Sequence, residues 1–522
     1  MSSVGRLDIH NLPAKSEPLS AQIKAWLPVA IPVALAVTIV VLRVQFGETR
    51  FLYDGTLIVL ALVCYLFAAV IGLIELYADK SVLGRWGIVM ASSGLMFNAA
   101  AWGTRWVAAG DREGWIRWVF RYVPFANLYD LSIAFSMGAA LTTVIICRKR
   151  ESRMVMGIAM LMAALIVTLA IFLGRQFIDL PPVLDSYWRP IHVGIASTSY
   201  GVVLVCFSIA VLYLIKDGFK IEAMGAFVAI LGLGIYGTIN RFSLITSGTY
   251  GLNVFFGSGD ERSSLPLRAT IPGVGPMMVV ALLLLLAALV CFASDLYRGD
   301  ERFKKYGFGA MWASGIIQLL SIVTLFLQMR AVAGSIASRI DIARQASYYP
   351  KVAEWLSTNG MSTSASGIQQ ANKILAANNA QLSVSGNSNP VELGALFTLL
   401  ALTGLVLMFS YRTERVIERL PSLDRLDDLM YKTGAVAFTG LAMLLITGAV
   451  WANESWGRYW GWDSKETGAL VAWLAYAGFL HTRIAHGWSG RRSAYFAIVG
   501  FLLVIFTYLG VSYLLPGLHS YA

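Results

Sequence analysis

The sequence predicts an all-α integral membrane protein with about thirteen transmembrane helices. Of its 522 residues, 57% are hydrophobic and only 14% are charged. The apolar residues come in runs of about 18 or more, the length that an α-helix needs to cross the hydrocarbon core of a bilayer. Most charged residues lie in short connections between these runs. A chain with this pattern crosses the membrane repeatedly.

Apolar runs, separated by glycine, proline and charged residues, define the individual spans. We predict spans at 26–44, 55–77, 86–108, 128–147, 154–173, 193–215, 223–240, 275–295, 308–328, 391–411, 433–453, 466–482 and 493–515. The first run follows a polar leader at 1–25 and lacks the small-residue cleavage pattern of a signal peptide, so we expect it to be retained. The chain then divides into this leader, an N-terminal membrane core at 26–217, a central region at 218–420 and a C-terminal core at 421–522. The central region has two long polar segments, at 241–273 and 329–391, which we expect to be external, either as accessory folded loops or as partly disordered ones.

Short basic connections predict the orientation in the membrane. They are RKRESR at 148–153, RGDERFKK at 298–305, YRTERVIER at 411–419 and the basic segments within 481–492. With thirteen spans they all fall on one side, which the positive-inside rule makes the cytoplasmic side. The amino terminus is then inside and the carboxyl terminus outside. This arrangement places His192, the segment at 451–466 and His519 together on the outer face.

Charge and cysteine usage exclude several classes of protein. The net charge is +11, but the basic residues are scattered through the connections instead of forming a patch, so the bilayer explains them and nucleic acid does not. The cysteines lie within or at the ends of apolar runs, at positions 64, 147, 206 and 291, and no CxxC or CxxCH occurs. The chain is therefore neither a c-type cytochrome nor a dithiol oxidoreductase by its own residues.

A tryptophan-rich segment at 451–466, WANESWGRYWGWDSKE, is the strongest candidate for a binding site. It combines four tryptophans, a tyrosine and five charged residues between two apolar helices. Such a segment is too polar to cross a bilayer, so we expect it to lie flat at the surface. An aromatic belt at the interface is the alternative, but this density suits a flat hydrophobic cofactor with polar edges better. The candidate residues are Trp451, Trp456, Trp460, Trp462 and Asp463.

Two external histidines could ligate a metal at this surface. The chain has only five histidines, and we assign no role to His10 or His486. His192 follows PPVLDSYWRP at the start of an apolar span, and His519 lies just past the last span. Imidazole is a common axial ligand of haem iron, and two that converge from separate helix ends could hold a porphyrin between them. The alternative is a solvated or capping histidine at each helix end.

His481 differs because it ends the predicted span at 466–482 and lies within or at the inner edge of the bilayer. An ionisable residue at such depth is costly and is a functional candidate by default. A simple interfacial position beside Arg483 is the alternative. If His481 ligates iron with a second histidine, we expect that histidine to come from another subunit.

A second external segment, at 111–130, places Arg112, Arg117 and Arg121 among aromatic residues. The positive-inside rule predicts few arginines on the outer side, so these three need another explanation. They could pair with carboxylates such as haem propionates or form an interfacial helix that holds lipid phosphates.

These features together resemble the CcsA/ResC family of cytochrome c assembly proteins, whose mark is a tryptophan-rich WWD segment. The matching text is ITGAVWANESWGRYWGWDSKETGALVAWLAYAGFLHTR at 446–483. Further matches follow the family order: VPFANLYDLSIAF at 123–135, LPPVLDSYWRPIHVGIASTSYG at 180–201, LDDLMYKTGAVAFTG near 426–440 and YLGVSYLLPGLHSYA at the end. The resemblance covers about 86–217 and 421–522, and we interpret the central region as an insertion.

The resemblance implies a function in cytochrome c biogenesis, with haem b as the substrate or ligand. By motif match, His192 and His519 would hold haem iron outside the membrane, and the WWD tryptophans with Asp463 would bind the ring. His481 would be the membrane histidine that pairs with one from a CcsB/ResB-type partner. Such a pair resembles a holocytochrome c synthase (haem lyase), which attaches haem to CxxCH apocytochrome c and depends indirectly on a thiol-reducing pathway. The expected location is the bacterial inner membrane, with the thylakoid membrane as the alternative.

Three positions depart from the family pattern. Ser464 stands where a proline is usual, Gly468 where a tryptophan is usual and Ala522 where a glycine is usual. We expect Ser464 to loosen the turn into the next helix and Gly468 to remove one aromatic wall, with binding retained because the histidines remain.

Three other functions stay open on the sequence. A haem-delivery subunit of the CcmC/CcmF type shares the WWD segment but forms no thioether bonds. A transporter for another substrate could have as many spans, although no inverted repeat is visible. A respiratory subunit with b haems would need several histidines inside helices, and this chain has at most one.

Overall fold

The chain folds as a bundle of long apolar helices. The computed structural model describes residues 19–78, 81–177, 182–238, 243–256, 263–332, 381–383 and 390–511. Within these residues, ten helices are long and apolar enough to cross a membrane. The predicted class, an all-α integral membrane protein, is confirmed.

Each predicted span coincides with a helix, except that 239–240 and 512–515 lie outside the described residues. The helices are α1 (Leu19–Phe46), α2 (Asp54–Glu75), α3 (Ser81–Glu113), α4 (Leu128–Cys147), α5 (Val155–Leu173), α6 (Trp188–Lys216), α7 (Ile221–Thr238), the short α8 (Ser243–Thr246), α9 (Val274–Arg298), α10 (Glu301–Val332), α11 (Pro390–Ser410), the short α12 (Thr413–Arg419), α13 (Leu423–Trp456), α14 (Ser464–His486) and α15 (Arg491–Ile505). Three of the predicted spans correspond to α3, α7 and α14, which are not among the ten. The number of crossings and the orientation in the membrane stay predictions.

The helix α6 is the centre of the bundle. In its most apolar window 89% of the residues are buried, against 11% for the peripheral α1. It packs on α4, α13 and α15. Small residues allow the closest of these contacts, because a Cβ at Gly201 would lie 2.3 Å from the backbone nitrogen of Ala139 on α4. Close backbone approach at small residues is typical of helix packing in membranes.

The connections that carry the basic sequences gather at one end of the bundle, which we call the basic end. It comprises the connections at 148–154, 217–220, 299–300, 411–422 and 487–490. An ion pair between Lys304 and Glu222 holds the connection at 299–300 beside the one at 217–220. Lys216 Nζ donates a hydrogen bond of 2.6 Å to the carbonyl oxygen of Ile417, and Arg491 Nε donates one of 2.6 Å to Asp217 Oδ2. The grouping that the sequence predicts for these connections is therefore present in the fold.

A buried charge cluster closes the opposite end of the N-terminal helices. Arg105 on α3 is 1% exposed and forms ion pairs with Asp54 at the start of α2 and Asp130 on α4. It also donates a hydrogen bond of 3.0 Å to the carbonyl oxygen of Arg175, whose own guanidinium lies 2.7 Å from Asp54. Buried charges need such partners, and removing one partner from such a group is strongly destabilising.

A small antiparallel sheet occurs in the segments predicted to be long and external. Its strands are β1 (Thr249–Phe256), β2 (Ser263–Thr270) and β3 (Gln381–Ser383), in the order β2, β1, β3. Thr249 pairs with Thr270, and Asn253 pairs with both Pro266 and Ser383. The described part of 241–273 is thus an accessory folded loop, one of the two forms expected, and the sheet is a local exception to the all-α class.

Candidate functional site

His192 is half-buried near the start of α6 and packs against α13. Its Nδ1 lies 3.0 Å from the carbonyl oxygen of Leu444 and 3.4 Å from Thr447 Oγ1. Because a carbonyl oxygen only accepts hydrogen bonds, Nδ1 carries the proton and donates. The lone pair is then on Nε2, the nitrogen that binds a metal when the other is fixed in this way. The contact with α13 therefore holds the imidazole in the tautomer of a metal ligand.

Gly448 gives this imidazole its place on α13. A Cβ at Gly448 would lie 2.7 Å from His192 Cε1 and 3.0 Å from Nδ1, closer than real Cβ atoms approach other atoms. One turn further along α13 is Trp451, whose ring centroid lies 5.7 Å from that of His192 at an interplanar angle of 46°. The structure therefore brings His192 and the tryptophan-rich segment together, as the alternation of spans predicts. We call this end of the bundle the tryptophan end.

Two indoles of the segment are buried at their polar edge. Trp451 is 8% exposed, and its Nε1 has no hydrogen-bond acceptor. The Nε1 of Trp460 is also buried without an acceptor. An indole N–H can only donate, and tryptophans normally find a partner for it when buried. The segment therefore contains donors that the rest of the described chain does not satisfy.

The other two tryptophans lie at the surface of the loop. Trp456 is 38% exposed at the end of α13, which Gly457 terminates in the left-handed conformation. Trp462 is 71% exposed and has a φ of 57°, a value that bulky residues rarely adopt. Its ring meets that of Trp460 edge-on at 5.8 Å. Backbone strain of this kind is concentrated at functional sites, where the surrounding structure maintains it.

Asp463 closes the turn into α14 by a reciprocal cap. Its Oδ2 accepts a hydrogen bond of 3.1 Å from the backbone nitrogen of Lys465, and Glu466 Oε2 accepts one of 3.2 Å from the backbone nitrogen of Asp463. Such a capping box satisfies the orphan N–H groups of the first turn. The turn is therefore capped without a proline, and the loosening expected from Ser464 stays a prediction.

Gly468 has a neighbour that the sequence does not reveal. A Cβ at this position would lie 2.7 Å from Thr507 Oγ1, so the glycine lets α14 approach the end of α15 closely. Thr507 belongs to a π-helical turn at Phe506–Gly510, in which Tyr508 shares a hydrogen bond of 2.5 Å with Ser132 on α4. Thr507 therefore lies where a tryptophan side chain at position 468 would begin.

Lys465 is half-buried at the start of α14, just before the predicted span at 466–482. Burial lowers its pKa to about 8, and the nearby charge of Asp463 only partly offsets this effect. No carboxylate of the described residues lies within ion-pair distance of its ammonium group. A cation is also unfavourable at a helix N-terminus, where the helix dipole is positive. This charge is therefore poorly stabilised by the chain itself.

His481 lies on α14 towards the basic end. It is 18 residues after Asp463, which is about 27 Å along a helix. Its exposed ring lies 5.7 Å from that of His486, also exposed, at an interplanar angle of 83°. The sequence assigns His486 no role, and the structure shows that it is a second imidazole beside His481 within this chain. The sequence did not predict this contact, because neighbours on a helix face are normally three or four residues apart and His486 follows His481 by five.

His519 lies outside the described residues. The structure therefore places His192, the four tryptophans and Asp463 at the tryptophan end, and His481 towards the opposite end.

One of the three external arginines contacts carboxylates of the chain itself. Arg121 pairs with Glu113 and with Asp185. Arg112 and Arg121 line a polar cavity between the end of α3 and the start of α6, together with Arg189, which is 1% exposed and one helical turn before His192. The acidic residues Glu113 and Asp130 also line this cavity. Its charges therefore balance one another within the chain, and we infer that it stabilises the start of α6. Propionate and lipid-phosphate binding by the segment stay untested predictions.

Sequence reasoning missed one contact that joins the two halves of the site. Ser186 Oγ donates a hydrogen bond of 2.6 Å to Glu454 Oε2 and accepts one of 3.0 Å from the backbone nitrogen of Trp188. Ser186 therefore ties the start of α6 to the tryptophan-rich segment. A signal was present only in part, because serine commonly caps a helix start, whereas its partner is 268 residues away.

The residues at the tryptophan end fit a haem. The fixed imidazole of His192 offers a nitrogen to iron, the indoles offer flat apolar surfaces to the ring, and the unsatisfied N–H groups and Lys465 suit acidic groups at its edge. Within the described residues, no group of three or more histidine, cysteine, aspartate or glutamate side chains could hold a bare metal ion.

Comparisons with known proteins identify the family of the chain. A "Cytochrome C assembly protein" family model matches residues 125–268 and 274–519, well over half of the chain. A "Cytochrome c biogenesis protein CcsA" from Prochlorococcus marinus subsp. pastoris is 46% identical over 137 residues, which are 26% of this chain and 43% of that protein. CcsA proteins from Parasynechococcus marenigrum and Synechococcus sp. strain CC9605 are each 52% identical over 103 residues, 20% of this chain and 34% of each relative.

The aligned segments span less than half the length of these curated relatives. The family match itself extends through most of 218–420, so the division of the chain at those residues stays a prediction. Because that match covers far more than half of the sequence, the chain belongs to the cytochrome c assembly protein family.

Proposed function

We propose that this protein presents haem b at the outer face of a membrane for covalent attachment to a CxxCH apocytochrome c. His192 and His519 ligate the iron, and the tryptophan-rich segment supports the ring. A CcsB/ResB-type membrane subunit acts with it. The membrane is the bacterial inner membrane or a thylakoid membrane, which suits the cyanobacterial origin of the relatives.

The fixed imidazole of His192 carries this proposal. Its hydrogen bond of 3.0 Å to the Leu444 carbonyl selects the tautomer with Nε2 as the ligand, and its ring lies 5.7 Å from the Trp451 ring. A ligand held by a backbone carbonyl needs little reorganisation when iron binds. Two features of one site, an oriented ligand and an aromatic surface, thus come from helices far apart in sequence.

Haem enters near His481, towards the basic end, and leaves at the tryptophan end. The two positions are about 27 Å apart along α14, close to the thickness of the hydrocarbon core. In the membrane, the partner subunit supplies the second axial ligand to iron bound by His481.

At the outer site the protein contributes orientation and ligation, while the porphyrin supplies the reactive vinyl groups. Each cysteine Sγ of the CxxCH segment forms a bond to one vinyl carbon, and the thiol proton goes to the other. The addition consumes no oxidant or reductant, but it needs reduced thiols, hence the indirect dependence on a thiol-reducing pathway. The histidine of CxxCH replaces one imidazole of the carrier.

Visible spectra of the purified protein and of three variants test the proposal. His192→Ala and His519→Ala should each lose the Soret signature of two imidazole ligands at the outer site, and His481→Ala should reduce haem loading. His10→Ala, in the leader, is the matched control. Cytochrome c maturation should fail in the first two variants. Intact spectra and maturation in all three would refute the assignment, and a bound haem without thioether formation would instead indicate a CcmC/CcmF-type delivery subunit.

A further inference from the structure

One face of α14 is buried along the length of the helix. Ala472, Tyr476 and Phe479 are buried and follow one another at intervals of four and three residues. The next position on this face, four residues further on, is Arg483, which is half-buried. Such spacing keeps side chains on one side of an α-helix. A guanidinium group therefore ends a face that is otherwise aliphatic or aromatic.

Arg483 is held by Asp427 near the start of α13. Its Nη1 donates a hydrogen bond of 2.9 Å to Asp427 Oδ1, and its Nη2 donates one to Oδ2. Its Cζ also lies 4.7 Å from the centroid of the Tyr431 ring, within the range of a cation–π interaction. Asp427 Oδ1 accepts a further hydrogen bond of 2.9 Å from the backbone nitrogen of Gly490. One carboxylate thus joins α13, the end of α14 and the connection to α15.

His481 lies between two anchored residues of α14 but on the other side of the helix. Phe479 packs on α13, where a Cβ at Gly434 would lie 2.5 Å from Cε1 of the Phe479 ring. Successive residues are about 100° apart around a helix, so the side chain at 481 lies about 200° from those of Phe479 and Arg483. Its exposure agrees with this geometry, since His481 and Leu474, seven residues earlier on the same side, are both exposed.

The direction of the imidazole depends on how the last turns of α14 are rotated about the helix axis. The ring of His481 contacts that of His486, which belongs to the same helix end and therefore moves with it. Contacts with another element fix the rotation. Phe479 supplies one before His481, and the pair of Arg483 with Asp427 supplies one after it. Two parallel hydrogen bonds restrict rotation more narrowly than an apolar contact, because both depend on the same orientation of the guanidinium plane.

We propose that Asp427 and Arg483 are positioning residues for the haem ligand His481. Their ion pair holds the end of α14 so that the imidazole faces away from α13, on the side where a partner subunit can supply the second ligand. The inference rests on the proposed function and deepens it by naming the residues that orient the ligand of the uptake step. Two segments that lie 56 residues apart in the sequence thereby meet in one contact.

Haem binding that depends on His481 tests the inference. Ferric protoporphyrin IX is titrated into the full-length protein in detergent, with absorbance as the readout. The difference from His481→Ala gives the His481-dependent part, and the difference from His192→Ala gives the His192-dependent part. Asp427→Asn should lower the affinity of the first part roughly five- to tenfold, less than for a partner bonded directly to a ligand, and leave the second within about twofold. A purely structural loss would lower both parts together.

Two further variants and a control assign the effect to the ion pair. Arg483→Lys keeps the charge but lacks the planar fork, so it should cause a smaller loss of the same kind. Exchanging the two residues, with Asp427→Arg and Arg483→Asp together, should recover part of the affinity. Asp217→Asn is the matched control, because Asp217 pairs with Arg491 at 2.6 Å at the same basic end but joins α6 to α15. It should bind haem as wild type does.

The possible results separate this inference from the proposed function. If Asp427→Asn changes neither part of the binding, or both parts equally, the positioning role is wrong although the proposed function stands. If His481→Ala itself binds haem as wild type does, the uptake step of the proposed function fails. Should Asp427→Asn not fold, Arg483→Lys decides in the same way, since a loss confined to the His481-dependent part supports the inference and wild-type affinity in both parts refutes it.

Discussion

Ser186 Oγ lies 2.6 Å from Glu454 Oε2 and is the hydrogen-bond donor of this pair. The same hydroxyl accepts from the backbone nitrogen of Trp188, so one side chain both stabilises the start of α6 and fixes the tryptophan-rich segment to it. His192 follows one turn later on α6. The distance between the imidazole and the indoles therefore depends on a contact that involves neither.

Removing this contact should weaken haem binding without removing a ligand. We expect Ser186→Ala and Glu454→Ala to weaken haem affinity several-fold, since a hydrogen bond to a charged group contributes about 1.5–3 kcal/mol when buried and less when exposed. Glu454→Gln should restore most of the affinity, because its amide oxygen still accepts from Ser186. Titration by absorbance measures this, and equal affinity of all three variants and wild type would contradict the positioning role.

Gly448→Ala should displace the imidazole of His192. The new Cβ would lie 2.7 Å from Cε1 of the ring, on a helix whose backbone cannot retreat easily. We expect loss of the hydrogen bond to the Leu444 carbonyl and a Soret spectrum that resembles that of His192→Ala.

The matched control for this change is Gly404→Ala on α11, where an added Cβ would meet nothing within 4 Å. That substitution should leave haem binding unchanged and should stabilise the helix by up to about 1 kcal/mol. A normal spectrum in Gly448→Ala would show that the imidazole position does not depend on this glycine.

Gly468→Trp, the change towards the usual family residue, should destabilise this protein. Its Cβ alone would lie 2.7 Å from Thr507 Oγ1, and overpacking of this kind costs typically about 1–3 kcal/mol. We expect Gly468→Ala to lower the thermal unfolding midpoint moderately and Gly468→Trp to lower it further. Combining Gly468→Ala with Thr507→Ala should recover part of the loss, and strict additivity of the two substitutions would argue against their contact.

Lys465 should make stability depend on alkaline pH. Burial lowers its pKa to about 8 in the folded protein, from 10.5 for an unperturbed lysine. Between these values the unfolded chain binds more protons than the folded one, so the free energy of unfolding rises with pH across this window. Below pH 8 the full penalty is present, because the lysine is charged in both states.

Unfolding measured at pH 7.5 and pH 9.5 in wild type and Lys465→Met tests this sign. Wild type should gain stability relative to the variant at the higher pH, because only the wild type has a lysine here whose pKa is lowered by folding. A pH dependence that is the same in both proteins would contradict the assignment.

His486 should partly replace His481 in haem uptake. Their rings are 5.7 Å apart, so a haem that approaches one imidazole is within reach of the other. We expect His481→Ala to retain some haem, and the double variant with His486→Ala to retain less. Resonance Raman or electron paramagnetic resonance spectra of the loaded protein measure the ligands, and identical haem content in the single and double variants would exclude this role.

The main features of the fold could be predicted from the sequence because transmembrane helices are encoded locally. Each predicted span coincides with a helix, since about 18 apolar residues in a row need only a bilayer to become helical. The position of His192 and Trp451 at the same end of the bundle could also be predicted from span alternation, whereas their ring distance of 5.7 Å depends on the packing of α6 on α13. The sheet could not, since its pairing of Asn253 with Ser383 joins segments separated by 130 residues.

The details that shape the site depend on contacts between distant helices. Gly448 and Gly468 look like ordinary glycines until His192 and Thr507 are found beside them. The unpaired charge of Lys465 becomes visible only when Asp463 and Glu466 are seen to be engaged in the cap. Aromatic content and the few histidines indicate where such a site lies in the sequence. The orientation of its side chains depends on helix packing.

The π-helical turn at Phe506–Gly510 has a geometric consequence for the end of the chain. One extra residue in a helix rotates everything after it by about 100° relative to an uninterrupted α-helix. The direction in which the chain continues after Val511 therefore depends on the one extra residue of this turn. Deleting one residue of the turn would rotate Val511 by about 100° about the helix axis and so change the direction in which the chain continues.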